Sequence, residues 1–188
     1  MAQTCPQLVD VLNDSECLEN LAGLGTDVYI GLKGDLKNKM TATENEYTTP
    51  EFLSGKGLYK LQCKDDSQQI QGSSLGERKG FELTCTLVID SVNANIGKLM
   101  RAINNRDVFV ITKDGDVSQI LYDPTRKIKK ESGALKTDTG SKPDDERTST
   151  VELKQSPVLF PNLYVKEPEE GWDSLLASTA AAAAASEY

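Results

Sequence analysis

The clearest pattern in the chain is an alternation of apolar and polar residues from Phe81 to Asp90. Its apolar members fall on one face of an extended chain: Phe81, Leu83, Cys85, Leu87 and Ile89. Alternation of this kind predicts a half-buried β-strand. Weaker alternation or short apolar runs predict further strands at 27–32, 58–63, 107–113, 117–122, 148–154 and 157–165. Pro161 restricts the last of these to a sheet edge.

The period of the pattern changes after Asp90. Apolar residues then recur at helical spacing, at Val92, Ile96, Leu99, Met100 and Ile103. This spacing predicts one amphipathic helix over about 91–104, packed against a sheet, with Ser91 as its N-cap. The sequence therefore predicts a mainly β protein, a β-sandwich or barrel with one flanking α-helix, long loops and terminal arms.

Turn and loop signals divide the chain further. Asp114-Gly115 predicts a tight hairpin between the strands on either side of it. Three long polar segments, 37–55, 64–79 and 131–147, are predicted to be loops, and loops of this length are usually functional or disordered. We predict an amino-terminal arm at 1–25, a β domain at 26–166, and a carboxyl-terminal linker with an alanine-rich tail at 167–188.

The charge of the chain limits its partners. A formal net charge of −8 argues against binding to nucleic-acid phosphates and predicts a surface that repels DNA. The sequence contains no run of about 18 apolar residues, which a transmembrane helix would need. We therefore expect no association with a membrane. The first residues lack the basic start and apolar run of a secretory signal, and the expected location is the cytosol or a virion.

The residues for catalysis are sparse. The chain contains no histidine, which excludes the commonest general base and the Ser–His and Cys–His arrangements. Neither the acidic pair 65–66 nor the acidic run 144–146 has the spacing of a calcium loop, and both are interpreted as solvated loop residues. The basic run 126–130 is interpreted as a solvated edge. We expect a protein without catalytic activity, cofactor or metal.

The spacing of the cysteines also favours a protein without a metal site. Cys5, Cys17, Cys63 and Cys85 are widely spaced and contain no Cys-x-x-Cys pair, which disfavours a zinc site. Free buried thiols are expected. A disulfide between Cys5 and Cys17 remains an alternative that needs an oxidising compartment.

Polar loops and arms without convergent reactive groups suit contacts between subunits, where a neighbour orders a segment that is unfavourable alone. Trp172 has two interpretations, an exposed aromatic anchor for a partner or a residue packed on its own domain. The candidate subunit-interface residues are Thr48, Thr49, Phe52, Thr139, Lys142, Asp144, Asp145, Arg147 and Trp172.

The order of the predicted elements over 81–154 resembles that of a known protein family. A long alternating strand follows Gly80, then a helix (VNANIGKLMRAIN), a hairpin (DVFVITKDGDVSQILYD), and a loop (TGSKPDDER) that leads into a Thr-rich strand (TSTVEL). This order resembles the tail tube (major tail) proteins of long-tailed bacteriophages, and DVYIGLKGD near the amino terminus resembles their opening strand. The resemblance covers about the middle two-thirds of the chain.

The resemblance implies a structural subunit of the virion tail. Such subunits join as hexameric rings that stack into a hollow tube, and strands from six subunits line a channel through which DNA passes without specific binding. The implied partners are further copies of the chain and other tail proteins, with assembly in the cytoplasm of the host bacterium. The loops at 37–56 and 131–147 and the amino-terminal arm are the expected contacts.

Other functions remain open at this point. The chain is alternatively another phage structural protein, such as a tail terminator, baseplate subunit or capsid decoration protein. A β-rich binding module of a cell-surface protein is a further alternative, although an aromatic content of 6% disfavours stacking on sugars. An enzyme is the least favoured class.

Overall fold

Two β-sheets enclose one hydrophobic core in the computed structural model, which describes residues 24–142 and 144–177. The strands are β1 (Asp27–Leu32), β2 (Ala42–Thr43), β3 (Glu46–Tyr47), β4 (Tyr59–Gln62), β5 (Gln69–Ser74), β6 (Phe81–Ile89), β7 (Val108–Asp114), β8 (Val117–Leu121), β9 (Leu135–Asp138), β10 (Thr148–Val158) and β11 (Tyr164–Val165). One sheet has the order β2-β3-β11-β8-β7-β1-β4 and the other β5-β6-β10-β9. The predicted mainly β sandwich with one helix is confirmed.

Strand β7 lies inside the seven-stranded sheet, between β8 and β1. Its first five residues are buried, as expected for a segment that is apolar on both faces. The predicted hairpin joins β7 to β8, with Asp114 opposite Val117 and Gly115 at φ +59° in the turn. A positive φ of this size is the reason for glycine at that position.

Strands β6 and β10 form the centre of the four-stranded sheet and pair antiparallel, with Cys85 opposite Leu153. The alternation in β6 is confirmed, because Leu83, Cys85 and Leu87 are fully buried. The residues between them are only partly buried. One face of this sheet therefore packs on the core, and the other face is polar.

The helix α1 (Ala94–Asn105) connects the two sheets, since it follows β6 and precedes β7. It buries Ile96, Met100 and Ile103 in the core. The prediction of Ser91 as the N-cap is wrong. Asn93 caps the helix, because its Oδ1 accepts hydrogen bonds from the N–H groups of Asn95 and Ile96 at 3.0 Å each.

The predicted polar loops contain short strands that the hydrophobic pattern did not indicate. Strands β2 and β3 lie within 37–55, β5 within 64–79 and β9 within 131–147. Each is mostly exposed and contributes few core contacts, so its sequence carries no apolar period. The prediction of one edge strand over 157–165 is wrong. Strand β10 continues to Val158, and of the remaining residues only Tyr164 and Val165 form a strand, β11.

The segment predicted as a linker from residue 167 packs on the domain at its described end. Leu176 forms a parallel bridge with Leu58, next to β4. The Leu58 N–H donates to the Leu175 carbonyl at 2.7 Å, and the Ala177 N–H donates to the Leu58 carbonyl at 2.9 Å. Burial of Trp172 in the core also fixes this carboxyl-terminal segment on the domain. Most of the predicted arm (1–23) and the alanine-rich tail (178–188) lie outside the described residues.

Candidate functional site

The two loops predicted to contact neighbouring subunits lie at opposite ends of the sandwich. The loop at 37–56 follows β1, which ends at Leu32 opposite the first residue of β7. The other loop was predicted at 131–147, but β9 occupies 135–138, and the loop that follows it, 139–147, connects β9 to Thr148 at the start of β10. Among the described residues, 24–142 and 144–177, no hydrogen bond or ion pair joins the two loops. They therefore form two separate surfaces.

The loop at 37–56 is held largely by its own domain. The Phe52 ring stacks on Phe109 with 6.4 Å between ring centroids, and Thr49 Oγ1 donates to the Lys166 carbonyl at 2.8 Å. Thr48 is exposed, although its N–H donates to the Thr41 carbonyl at 3.0 Å. Of the three candidates in this loop, Thr48 is therefore the most available to a partner.

One carboxylate organises the described part of the loop at 139–147, hereafter the acidic loop. Asp145 Oδ2 accepts hydrogen bonds from the N–H groups of Ser141 and Lys142, both at 2.8 Å, and from the Ser141 hydroxyl at 3.0 Å. These bonds, first those from the backbone of Ser141 and Lys142, lower the pKa of Asp145. Gly140 has φ +69°, and a Cβ there would lie 2.7 Å from the Asp145 Cβ.

The remaining candidates of the acidic loop point to solvent. Thr139, Lys142, Asp144 and Arg147 are exposed. Asp144 makes no ion pair or side-chain hydrogen bond with the part of the chain that the structure describes. Glu146, which was not a candidate, binds Lys64 Nζ at 2.6 Å and ties the loop to the segment after β4.

A cleft of about 420 Å³ opens at the other end of the sandwich, beside the hairpin of β2 and β3. Hereafter called the cationic cleft, it is lined by the basic residues Arg78, Lys79 and Arg126 and by the carboxylates Glu44 and Asp123. The Asp123 carboxylate already has hydrogen-bond partners in its own loop, because its Oδ1 accepts from the N–H groups of Thr125 and Arg126 at 2.7 and 2.8 Å. Arg126 Nη1 donates to the Pro157 carbonyl at 2.7 Å, and Arg78 Nε lies 3.8 Å from Glu77 Oε1, so the cleft carries charges of both signs.

The same cleft contains an exposed apolar side chain and an unsatisfied acceptor. Leu159 is 70% exposed, the highest value among the large apolar residues described. Gln155 lines the cleft and is 2% exposed, and its Nε2 donates to the Tyr122 carbonyl at 2.7 Å. Its Oε1 has no hydrogen-bond donor among the described residues.

Trp172 does not belong to an exposed interface. It is 1% exposed, its Nε1 donates to Ser118 Oγ at 2.9 Å, and its ring lies 6.2 Å from that of Tyr29. The interpretation of Trp172 as an anchor for a partner is therefore wrong, and the alternative, packing on its own domain, is correct. Gly171 at φ +76° turns the chain so that the indole enters the core.

A phenol next to this tryptophan holds the carboxyl-terminal segment. Tyr29 OH donates to Asp173 Oδ1 at 2.8 Å. Burial, and then this hydrogen bond, raise the pKa of Tyr29 to about 12. The same hydrogen bond lowers the pKa of Asp173. Tyr29 therefore stays protonated and serves as a structural donor.

The described cysteines are buried and unreactive. Burial raises the pKa of Cys63 and of Cys85 to about 12, so the nucleophilic thiolate is disfavoured at neutral pH. Both thiols are free, as predicted. Cys5 and Cys17, with their alternative disulfide, lie outside the described residues.

Two other kinds of site are absent from the described residues. No three Cys, Asp or Glu side chains among them are arranged to hold one metal ion. No helix among them has the length and apolar character needed to cross a membrane.

A third surface, which was not predicted from the sequence, consists of the free edges of the four-stranded sheet. Among the described residues, β5 and β9 each pair with a neighbour on one side only. The outer face between these edges is polar, with Thr84 and Thr86 from β6 and Thr150 and Glu152 from β10. Free edges present unpaired N–H and carbonyl groups, which can add a strand from another chain.

Comparisons with known proteins add no relative. No protein family, no curated protein and no solved structure matches the chain. The described residues thus present three candidate surfaces, namely the acidic loop, the cationic cleft and the free sheet edges.

Proposed function

We propose that this protein is a structural subunit of a bacteriophage tail tube, which assembles as hexameric rings around a channel that conducts DNA. The observation that carries the proposal is the four-stranded sheet, with its free edges at β5 and β9 and its polar outer face. The resemblance of 81–154 to tail tube proteins supports the same assignment. The ring forms when β5 of one copy pairs with β9 of the next.

The dimensions of such a ring suit the passage of a DNA duplex. Neighbouring strands lie about 4.8 Å apart, so four strands contribute roughly 19 Å to the circumference. Six copies close a barrel roughly 37 Å across before strand tilt widens it. This leaves room for a duplex inside the polar faces.

The chemistry of the outer face suits a channel wall that does not hold DNA. Threonines alternate with charges of both signs, and Lys154 is paired with Glu131 at 2.8 Å and with Glu152 at 3.3 Å. A lysine that is already paired is a weak ligand for phosphate. The net charge of −8 acts in the same direction through repulsion.

A single backbone change tests the ring. The Glu152 N–H bonds the Ala134 carbonyl, and the alternation of the antiparallel ladder then turns the Thr137 N–H toward the free edge of β9. Thr137→Pro removes only that donor from the edge. Thr137→Val is the matched control, since it keeps the N–H and the β-branched shape.

The expected result is that the wild type and Thr137→Val form rings or tubes in negative-stain micrographs at high concentration, and that Thr137→Pro stays monomeric. Circular dichroism checks that all three chains are folded. A wild-type chain that remains monomeric at every concentration overturns the proposal. Discrete rings that never stack favour a tail terminator or another ring-forming virion protein instead.

A further inference from the structure

We propose that Lys33 and Asp107 of one chain condense into an amide, so that a covalent cross-link between Lys33 Nζ and Asp107 Cγ joins the end of β1 to the start of β7. The cross-link lies inside one subunit and is therefore independent of the assembly proposed above. The close approach of the two side chains, their burial and the absence of a competing amine support it.

The two side chains leave facing positions on adjacent strands. Strands β1 and β7 pair antiparallel up to Leu32 opposite Val108, and the Lys33 N–H donates to the Asp107 carbonyl at 3.0 Å directly beyond that pair. Lys33 Nζ lies 3.5 Å from Asp107 Oδ2. The sheet thus holds the amine against the carboxyl group, and groups held in this way react with an effective concentration of about 10⁵ M or more.

Lys33 is the most buried cation among the ion pairs of the described residues. Its side chain is 12% exposed, and the next value is 21%, at Lys154. Its Nζ lies over the buried Tyr122 ring, 5.4 Å from the centroid. Burial lowers the pKa of Lys33, although the Asp107 carboxylate acts in the opposite direction. A desolvated lysine is a better nucleophile because more of it is the neutral amine.

The contacts of both groups favour a reaction between them. Lys33 Nζ donates to the Arg126 carbonyl, which fixes the direction of the amine. Among the described residues, Lys33 is the only side chain paired with the Asp107 carboxylate, and Asp107 Oδ1 is buried without a hydrogen-bond donor from them. No other side-chain contact in the described structure therefore has to break before Nζ reaches Cγ.

A second lysine lies near this carboxylate but is bound elsewhere. Lys130 Nζ donates to the Arg106 carbonyl at 2.6 Å. It makes no ion pair with Asp107 in the part of the chain that the structure describes. Lys33 is therefore the amine placed for attack, and Lys130 provides a comparison at the same site.

The condensation needs no co-reactant. The Lys33 ammonium transfers one proton to Asp107 Oδ2, and the neutral amine attacks Cγ. The N–C bond forms and the Cγ–Oδ2 bond breaks, so that Oδ2 leaves as water with that proton and a second proton from the nitrogen. Nζ keeps one hydrogen, and Oδ1 becomes the amide oxygen.

The cross-link would close the chain between 33 and 107 into a loop that contains strands β2 to β6 and helix α1. Closure of a long loop restricts the unfolded chain, as a disulfide does, and so stabilises the fold. An amide, in contrast to a disulfide, also persists in a reducing compartment. This suits a chain in which the described cysteines are free.

Mass spectrometry of the purified full chain tests the cross-link. After storage at neutral pH, the wild type is expected to have a mass lower than that of its sequence by one water molecule. Trypsin should then release the peptide DVFVITK (107–113) joined to a second peptide in which the bond after Lys33 is uncut. An unmodified chain gives these peptides separately.

Three variants assign the two ends of the bond. Lys33→Arg keeps the positive charge but should retain its full mass, because a guanidinium stays protonated and does not attack. Lys130→Arg, the same substitution at the neighbouring lysine, is the matched control and should lose water as the wild type does. Asp107→Asn should lose ammonia in place of water and give a product of the same mass as the cross-linked wild type. Circular dichroism checks that all variants are folded.

The wild type alone decides whether the cross-link exists. A wild type that keeps its full mass overturns the proposal, whether or not the variants fold. A loss of water located in the peptide 114–126 indicates a succinimide at Asp114 and also overturns it. The same holds if Lys113 is instead joined to Glu167, a more exposed pair at 3.0 Å. A branched peptide that is absent from Lys33→Arg and present in Lys130→Arg supports the proposal.

Discussion

The indole Nε1 of Trp172 donates a hydrogen bond to the hydroxyl of Ser118, 2.9 Å away, between residues that are 54 positions apart in the chain. The bond joins the carboxyl-terminal segment to β8 of the seven-stranded sheet. The indole is 1% exposed and is among the largest fully buried side chains described. The described residues 166–177, which follow the last strand, are therefore part of the folded domain.

Trp172→Ala is expected to destabilise the domain by about 3–5 kcal/mol, because it leaves a cavity and removes the donor to Ser118. Urea unfolding followed by circular dichroism measures the change. Leu159→Ala, at a side chain that is 70% exposed, is the control and should change the free energy of unfolding by less than about 0.5 kcal/mol. Equal losses in the two variants would contradict the buried position of Trp172.

Glycines at two positions predict opposite effects of the same substitution. A Cβ at Gly31 would collide with the ring of Phe109, whereas a Cβ at Gly97 in α1 would meet nothing within 4 Å. Gly31→Ala is expected to destabilise by about 1–3 kcal/mol through overpacking. Gly97→Ala should stabilise by up to about 1 kcal/mol through helix propensity. Thermal unfolding of both variants side by side checks the signs.

The acidic loop should lose its order in acid. Hydrogen bonds from Ser141 and Lys142 lower the pKa of Asp145 in the folded loop, so they stabilise it at every pH above the ordinary aspartate pKa, about 3.9. That stabilisation disappears as the pH falls through the lowered pKa. The amide resonances of Ser141 and Lys142 in NMR spectra should report the transition.

Asp145→Asn provides the control for this titration, because an amide oxygen still accepts hydrogen bonds but does not ionise. The amides of Ser141 and Lys142 should then show no transition at acid pH. A transition of unchanged midpoint in Asp145→Asn would assign the effect to another carboxylate.

The buried thiols should resist modification until the protein unfolds. Burial raises the pKa of Cys63 and Cys85 to about 12, so almost no thiolate is present at pH 8. Native protein treated with a disulfide reagent at pH 8 should carry no label at either residue, as determined by peptide mass spectrometry. Both should react rapidly in denaturant. Fast labelling of Cys85 in the native state would contradict its complete burial.

Elements that bury one face or both faces could be predicted from the sequence, because burial leaves a period in the residues. Strand β6 carries a period of two, and α1 carries the helical spacing at Ile96, Met100 and Ile103. Strands β5 and β9 carry neither, since they are exposed edges of polar residues. Their pairing depends on a neighbouring strand, which local sequence does not specify.

The candidate surfaces were predictable to different degrees. The acidic loop was identified because a polar loop with Gly140 and successive carboxylates is visible locally. The cationic cleft combines residues near 44, 78, 126 and 159, which only the tertiary fold brings together. The candidates Phe52 and Trp172 are aromatic residues in polar segments, and their packing partners lie far away in the chain.

The parallel bridge between Leu176 and Leu58 determines where additional protein can be attached. Ala177 lies beside β4, at the margin of the seven-stranded sheet, because its N–H donates to the Leu58 carbonyl. A fluorescent domain inserted after Ala177 would accordingly be carried by this layer, apart from the threonine-lined face of the opposite sheet. In the tube proposed above, such a label would stay away from the channel wall.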